Sequence, residues 1–312
     1  MSGYTFRPTD LKVPQRQAGL AAFMRIRNGA DFVEATIRSH LEYFDEIVAV
    51  YNQCTDATPQ VLARLEQEIG PKLRVFHYMD RVYPPGSRGH AETPAESPSS
   101  MVTYSNFALA MTTRRTVTKL DDDQVAIASS VARIVADLRA RDGAGGIMHC
   151  FSGVNLFRRP GGGLGIPARD PLSGGGEIGF FDVSDTTFFT HDPRFERAPR
   201  FRSRRVFCGF HYWHFKYMKT GGGFANYELE SNPDSRFAKR KAWFEGAPEI
   251  IDLAELKRRT KVGALKRAAA LLSTKRKILV DRADALAEVF PEDGVHAALR
   301  RTVAAEFVPD TD

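Results

Sequence analysis

The sequence predicts an α/β fold: a mostly parallel sheet flanked by helices, a mixed β extension and a C-terminal helical region. Apolar, strand-like runs alternate with segments of helical spacing in the first part of the chain. Short β-like runs separated by glycine triplets follow, and the last part is helical in pattern. With 312 residues, 43% of them hydrophobic, the chain is large enough to bury a substantial core.

The first half contains strands and helices in alternation after a polar N-terminal extension, residues 1–19. Such alternation predicts right-handed βαβ units, whose ligands bind beyond the carboxyl ends of the strands. We expect Asp31 to cap the first helix and Asp56 or Thr58 to cap the second. The predicted strands are 20–28, 46–52, 72–79 and 117–120, and the predicted helices are 32–44, 61–69, 104–113 and 125–141.

Residues 80–100 are rich in proline, glycine and polar side chains. A structureless loop of this length inside a compact domain is usually functional or disordered, so this segment is predicted to be a lid. Its Arg88 is a candidate phosphate contact. From Gly145 onward the pattern changes to β-like runs, which predict a mixed or antiparallel extension of the sheet at 147–159, 177–190 and 205–218. Residues from 232 to 312 are predicted to be helical.

Charge and cysteine content narrow the class of protein. A formal net charge of +6 favours an anionic partner, which phosphates, lipid headgroups or nucleic acid would all satisfy. The three cysteines are widely spaced and form no CxxC pair, which argues against a disulfide framework or a cysteine zinc site. No apolar run is long enough to span a bilayer, and the polar start does not resemble a secretory signal. We therefore expect a cytoplasmic protein.

Three consecutive carboxylates, Asp121, Asp122 and Asp123, directly follow a short apolar strand. Burying them together costs free energy unless a cation offsets their repulsion. Oxygen ligands of this kind suit Mg²⁺ or Mn²⁺, which retain positions for water and substrate phosphates. If the strand continued through the triplet, Asp121 and Asp123 would share one face. The alternative is a solvated acidic turn that caps the following helix.

The order of these parts resembles the nucleotide-binding half of GT-A glycosyltransferases, particularly family 2. EIVAVYNQCTDAT is similar to the family's second strand and turn, and KLDDDQ stands at the position of its DxD motif. The resemblance covers residues 20–127, and Asn52 replaces an acid that is usual there. It implies a metal-dependent enzyme that binds a nucleotide-sugar donor, with a UDP-sugar favoured, in residues 20–127 and an acceptor in 128–231.

The same resemblance implies roles for individual residues. The metal ligands would be Asp121 and Asp123 together with a late histidine, for which His214 is preferred over His211 because Lys216 shares its strand face. An inverting reaction would need a carboxylate base, for which Glu177, Asp182 and Asp185 are the candidates. The residues expected to line the donor pocket are Arg25, Asn28, Asn52, Asp56, Tyr104, Ser105, Asn106, Asp122 and Lys216. Each of these has a structural alternative as a turn, cap or core residue.

Residues 257–277 contain nine lysines or arginines and no acid. Their apolar residues recur at helical spacing, which fits either a solvated helix packed on the domain or a peripheral contact with the anionic inner face of the cell membrane. Membrane contact would suit a lipid-linked saccharide acceptor in cell-surface polysaccharide synthesis. No zinc finger, RNP-like signature or helix-turn-helix accompanies the charge, so a nucleic-acid partner is not expected.

Two other functional classes remain open at the level of the sequence. A nucleotidyltransferase also uses acidic metal ligands on a related sheet, but FMRIRNGADF lacks the glycine-rich loop expected after its first strand. A non-catalytic basic protein that binds membranes or nucleic acid is the other alternative. Binding of uridine or guanosine diphosphate that is absent, or independent of Mn²⁺, would exclude both enzyme classes.

Overall fold

The structure is a computed structural model that describes residues 2–192, 196–197, 204–246 and 248–308. Its helices are α1 (Val33–His40), α2 (Thr58–Ile69), α3 (Arg88–Glu92), α4 (Met101–Ala110), α5 (Ala128–Ala140), α6 (Arg236–Glu245), α7 (Leu253–Thr260), α8 (Ala264–Ala270), α9 (Thr274–Val289) and α10 (Val295–Thr302). Its strands are β1 (Gln17–Ile26), β2 (Glu46–Tyr51), β3 (Leu73–His77), β4 (Arg114–Leu120), β5 (Gln124–Ala126), β6 (Met148–Asn155), β7 (Phe157–Arg158), β8 (Leu164–Pro167), β9 (Leu172–Ser173), β10 (Gly179–Asp182), β11 (Arg205–His214) and β12 (Ile250–Ile251).

The predicted α/β class is confirmed. One sheet has the order β3-β2-β1-β4-β10-β6-β11-β5, with β9 paired to β6, and a small sheet has the order β12-β8-β7. The first four strands are mutually parallel. Strand β10 runs antiparallel to both β4 and β6, whereas β6 and β11 are parallel to each other. The second half is therefore the mixed extension that the glycine-separated runs predict.

Strand alternation in β1 divides its side chains between two hydrophobic cores. Leu20, Ala22 and Met24 face a core formed with α1, α2 and α5, and Ala21 and Phe23 face a second core formed with α4. Helices on both faces leave the strand ends as the accessible edges of the sheet. A third core joins β11 to α7, α9 and α10, and there the Trp213 indole donates a hydrogen bond to Thr302 Oγ1 (2.9 Å).

Several local predictions differ from the structure. Residues 124–126 form strand β5 instead of beginning the predicted helix, because they pair with β11. Asp31 does not cap α1, since its carboxylate accepts a hydrogen bond from the Thr220 amide (2.7 Å). The segment 80–100 is not structureless: it contains α3, capped by Ser87 Oγ. Tertiary partners override the local signal at the first two of these places, whereas α3 is capped by its own neighbouring residue.

Candidate functional site

The carboxyl ends of the parallel strands border a cleft of about 1120 Å³. Strand β1 delivers Arg25 and Asn28 to this edge, β2 delivers Asn52, and β4 delivers the three acids. Val82, Pro84 and Pro85 from the predicted lid also line the cleft, whereas Arg88 pairs with Glu92 and does not. The site therefore lies where ligands bind in sheets of this kind.

The acidic triplet occupies a tight turn between β4 and β5. Its position is fixed by β11, because Gln124 pairs with His214 in the antiparallel ladder and the Phe215 amide donates to the Asp123 carbonyl (2.8 Å). Strand alternation therefore does not hold across the triplet. The structure instead separates Asp121 from the other two acids: its carboxylate binds the Lys119 ammonium (2.6 Å) and accepts from Gln124 Nε2 (3.3 Å).

Asp122 and Asp123 share one lysine, Lys219. Its ammonium lies 2.8 Å from Asp122 Oδ2 and 3.7 Å from Asp123 Oδ2, and all three side chains are at most 10% exposed. Burial raises the pKa of Asp122 to about 7 against the attraction of Lys219. Burial would also raise the pKa of Asp123, but His214 and Lys219 hold it below its ordinary value. The ammonium thus supplies positive charge where the sequence predicts a metal.

His214 is held in a defined tautomer beside Asp123. Asn155 Nδ2 donates to the Asp170 carbonyl (2.7 Å), which leaves Asn155 Oδ1 to accept from His214 Nδ1–H (2.7 Å). The other ring nitrogen, Nε2, then faces Asp123 Oδ1 at 3.0 Å. Two acceptors at this distance need a proton or a cation between or beside them. Histidines that bind metals commonly have their second nitrogen fixed by the protein in this way, although a proton on Nε2 would satisfy the same contact.

His211 does not reach the cleft. Its ring is fully buried against Phe44, Phe151 and Phe180, and neither ring nitrogen has a hydrogen-bond partner among the described residues. Burial lowers the pKa of His211 well below its ordinary value, so the ring is neutral. Of the two histidines predicted as ligands, only His214 lies beside an acid.

In the described part of the chain, histidine, cysteine and acidic side chains do not form a group of three or more that would hold a metal ion. Asp123 and His214 supply one oxygen and one nitrogen, which is a partial set. Mn²⁺ and Mg²⁺ commonly complete such sets with water and substrate phosphates. The residues present therefore fit a cation that binds together with a phosphorylated ligand.

Arg25 lies deep in the cleft. Its guanidinium bonds Ser105 Oγ (2.5 Å) and pairs with Glu196 (2.6 Å), and both charged side chains are about nine-tenths buried. Its Nε atom has no hydrogen-bond partner in the part of the chain that is described. Such a pair is geometrically fixed, and a ligand that reached it would meet an Arg with one unsatisfied donor.

Asn28 and Asp56 tie together the loops that follow β1 and β2. Asn28 adopts a left-handed backbone (φ +52°), accepts from the Thr55 amide (2.7 Å) and donates to Asn226 Oδ1 (2.9 Å). Asp56 accepts from the amides of Ala30 and Thr58 (3.0 Å each). Both residues line the cleft, but these side-chain atoms are already hydrogen-bonded to other groups of the protein. They shape the wall of the pocket.

Three other residues predicted to line the nucleotide-sugar pocket make hydrogen bonds within the protein. Asn52 donates to the carbonyls of Tyr78 and Asp80 (2.7 Å each), and Tyr104 Oη donates to the Val50 carbonyl (2.6 Å). Asn52 and Tyr104 line the cleft. Asn106 does not, because both ends of its amide bond the Phe189 backbone in the core.

The direction of β10 separates the three candidate bases. Because β10 runs antiparallel to β4, residues before it lie at the acidic edge and residues after it at the opposite edge. Glu177 precedes β10 and lines the cleft. Asp182 ends β10 and accepts hydrogen bonds from Thr116 Oγ1 and the amides of Ala144 and Gly145 (2.6–3.0 Å), and Asp185 is exposed in the next turn. Neither aspartate lines the cleft.

Lys216 and Lys219 bring positive charge to the same side of the cleft. Strand β11 ends at His214, so Lys216 does not share a strand face with it. It lies in a short 3-10 helix, with its ammonium 5.2 Å from the centre of the Tyr227 ring.

Sequence reasoning missed Lys219, because the alternation of side chains was extended beyond the end of strand β11. It also missed Lys119, which pairs with Asp121 two residues away, and Glu196 and Asn155, whose roles depend on contacts distant in sequence.

Comparison with models of known protein families gives no match, and a search of curated proteins gives none either. Among solved structures, S. aureus TarS (residues 1–349) matches with 14% identity and a TM-score of 0.27, over 45% of this chain and 35% of that one. Glucosyl-3-phosphoglycerate synthase from Mycobacterium tuberculosis, in complex with Mn²⁺, UDP and phosphoglyceric acid, matches with 18% identity and a TM-score of 0.29, over 51% of this chain and 49% of that one. At these scores the function has to be inferred from the cleft itself.

Proposed function

We propose that the protein is a glycosyltransferase that uses Mn²⁺ or Mg²⁺ to transfer a sugar from a nucleotide diphosphate sugar to a saccharide or lipid-linked saccharide, in the synthesis of a cell-surface polysaccharide. The observation that supports this most directly is the Asp123–His214 pair at the carboxyl edge of the sheet. A UDP-sugar is the first donor to test. The cleft is at or above the upper end of the range of about 300–1,000 Å³ for ligand pockets, which leaves room for donor and acceptor together.

Asp123 and His214 would hold the metal, with Asp121 beside them on Lys119. A divalent cation bound there would neutralise the charge that develops on the leaving nucleoside diphosphate. Lys216 and Lys219 add protein cations on the same side, so the site attracts phosphate even before a metal binds. This charge distribution orients the diphosphate toward β11 and the nucleoside toward the ends of β1 and β2.

Glu177 is the base that the geometry favours for an inverting reaction. It is exposed, lines the cleft, and accepts a hydrogen bond from the Gly175 amide (3.0 Å). The acceptor oxygen forms a bond to the anomeric carbon as the bond from that carbon to the diphosphate oxygen breaks. Glu177 takes the hydroxyl proton. Pro84 and Pro85 border the same space, and closure over the donor there would exclude water, whose attack is the competing hydrolysis.

The test is calorimetric binding of UDP and GDP to the full chain, with and without Mn²⁺, beside an assay of nucleoside diphosphate release from a panel of nucleotide sugars. We expect binding that requires Mn²⁺. Asp123→Ala should abolish turnover and weaken metal-dependent binding by at least about 100-fold while the chain remains folded. The matched control is Asp185→Ala, which removes an exposed acid outside the cleft.

Each outcome decides between classes. Equal binding with and without Mn²⁺, or turnover retained by Asp123→Ala, would contradict the proposed site. Release of pyrophosphate from nucleoside triphosphates would identify a nucleotidyltransferase instead. Absence of nucleotide binding would favour a non-catalytic protein.

A further inference from the structure

Three leucines near α8 are almost completely exposed: Leu265 (89%), Leu271 (86%) and Leu272 (88%). Scattered exposed apolar residues are ordinary, but these three lie within eight residues of one another on one helix and the turn after it. Nearby Leu256 is fully buried, as expected for a helix packed on the domain. Among the described residues, the three most exposed large hydrophobic side chains thus lie in one short segment.

Cations without acidic partners in the described part of the chain flank these leucines in the sequence. Of the nine cations in residues 257–277, five form ion pairs: Lys257 with Asp293, Arg258 with Glu255, Arg259 with Glu249, Arg267 with Asp284 and Lys277 with Asp281. The other four form no ion pair in the described part of the chain and are all exposed: Lys261, Lys266, Lys275 and Arg276. Within residues 257–277, the four cations without an ion pair thus lie between Lys261 and Arg276, in the same segment as the three leucines.

We propose that residues 261–276, the basic leucine surface, dock on an anionic lipid bilayer. Leucines enter the boundary between headgroups and acyl chains, and neighbouring lysines and arginines bind anionic headgroups. Among the described residues, every helix is too short or too polar to cross a bilayer. The contact is therefore peripheral, and salt weakens its electrostatic part.

Charge and composition argue against other occupants. In a two-fold contact between copies of the chain, the same patch meets itself, which would bring eight unpaired cations together. A nucleic acid would use the cations, but it would leave three leucines in water. The segment also contains no aromatic residue on which bases stack.

The basic leucine surface is connected to one rim of the cleft. Helix α9 begins within this surface, and its Ile278 packs beside Gly176, which lines the cleft next to Glu177. Arg282 of the same helix donates to the Gly174 carbonyl (3.3 Å). A bilayer bound at residues 261–276 would therefore lie on the side from which Glu177 meets the acceptor, as a lipid-anchored acceptor requires.

The experiment is co-sedimentation of the full chain with vesicles of phosphatidylcholine alone or phosphatidylcholine mixed with phosphatidylglycerol. We expect binding to the mixed vesicles only. The triple variant Leu265→Ser, Leu271→Ser, Leu272→Ser should lower the partition coefficient at least about tenfold. Its folding, measured by circular dichroism and urea unfolding, should be unchanged because the three side chains are already in water.

A second variant tests the charges. Lys266→Gln, Lys275→Gln, Arg276→Gln should weaken binding to the mixed vesicles about 100-fold, since each cation near the surface contributes about fivefold. The matched control Arg38→Gln, Arg141→Gln, Lys241→Gln removes the same charge from ion-paired positions elsewhere, and it should change binding by no more than about twofold.

Several results would overturn the proposal: equal binding to neutral vesicles, full binding by either triple variant, or no sedimentation with either vesicle. An oligomer that the leucine variant dissociates, without vesicle binding, would assign the surface to a second copy. The assay contains no nucleotide or metal, so its failure would leave the proposed glycosyltransferase activity to be judged by donor turnover.

Discussion

The two sides of the cleft hold their polar groups in different ways. On the side of β1 and β2, the bonded atoms of Asn28, Asn52 and Asp56 go to backbone groups or to another loop. On the side of β4 and β11, Asp122 and Asp123 are held by a lysine and a histidine that are themselves charged or titratable. Hydrogen bonds of the first kind are lost only by distorting the loops, whereas charges of the second kind can be exchanged for those of a ligand.

This difference suggests separate roles for the two sides of the cleft. The β1–β2 side is a wall whose side chains are fixed by bonds within the protein, and it determines the shape of the pocket. The β4–β11 side holds paired charges, and under the proposed function these are the groups that phosphate and metal would meet. Substitutions on the two sides should therefore alter different quantities, which makes the comparison testable.

After Asp123→Ala, the largest effect is expected from Glu177→Gln. Removing this proposed base should lower kcat by about 10²–10⁴-fold and leave the unfolding free energy unchanged, because Glu177 is exposed. Asp182→Asn is its counterpart: it should cost about 1–3 kcal/mol of stability, because it disturbs three hydrogen bonds, and leave kcat unchanged. Initial rates and urea unfolding measure both. A lower kcat for Asp182→Asn that remains folded would show that the assignment of the base to Glu177 is wrong.

Lys219→Met should test whether the acids depend on exchangeable charge. It leaves Asp122 and Asp123 without their ammonium, which should destabilise the metal-free protein by about 3–5 kcal/mol. Mn²⁺ should raise the melting temperature of this variant more than that of the unaltered protein, since a cation replaces the lost charge. Lys216→Met, which breaks no ion pair in the described residues, is the control. Equal shifts with Mn²⁺ in both variants would argue against a cation at Asp123.

A smaller, pH-dependent effect should come from the core behind the site. Burial lowers the pKa of His40 to about 4 and that of His211 well below its ordinary value. Both bind protons more readily when unfolded, so their stabilising contribution is complete above about pH 6.5 and is lost as the pH falls toward 4. Each should contribute about 1–2 kcal/mol to the difference in unfolding free energy between pH 7 and pH 5. His211→Phe should reduce this difference; an unchanged pH dependence would show that His211 is not the source.

The smallest effect concerns the β1–β2 wall. Asn28→Ala should cost about 1–2 kcal/mol of stability, because it removes the bonds to Thr55 and Asn226 and places alanine in a left-handed conformation. Asn28→Gly removes the same bonds but accepts that conformation, so it should be less destabilising than alanine by about 1 kcal/mol. Urea unfolding of both variants measures the difference. Equal stability would mean that backbone strain does not contribute.

Much of the parallel half could be predicted because its signals are local. The apolar runs at β1, β2, β3 and β4 lie within three residues of their predicted limits, and the acids were placed correctly at the end of β4. Strand and helix periods are visible within a few turns of chain, and they fix which residues face the two cores. The mixed second half was predicted as a class, but its strand order was not.

The sequence by itself determined an α/β fold with acids at a strand end, and it indicated a histidine late in the chain as a candidate metal ligand. Only the tertiary structure decided which residues meet. Pairing of β5 with β11 brings His214 to Asp123, and the reversed direction of β10 places Glu177 in the cleft and Asp182 at the opposite edge. Lys219 joins the acids across nearly a hundred residues of chain. Such contacts depend on strand order and direction, which the periodicity of a single segment does not encode.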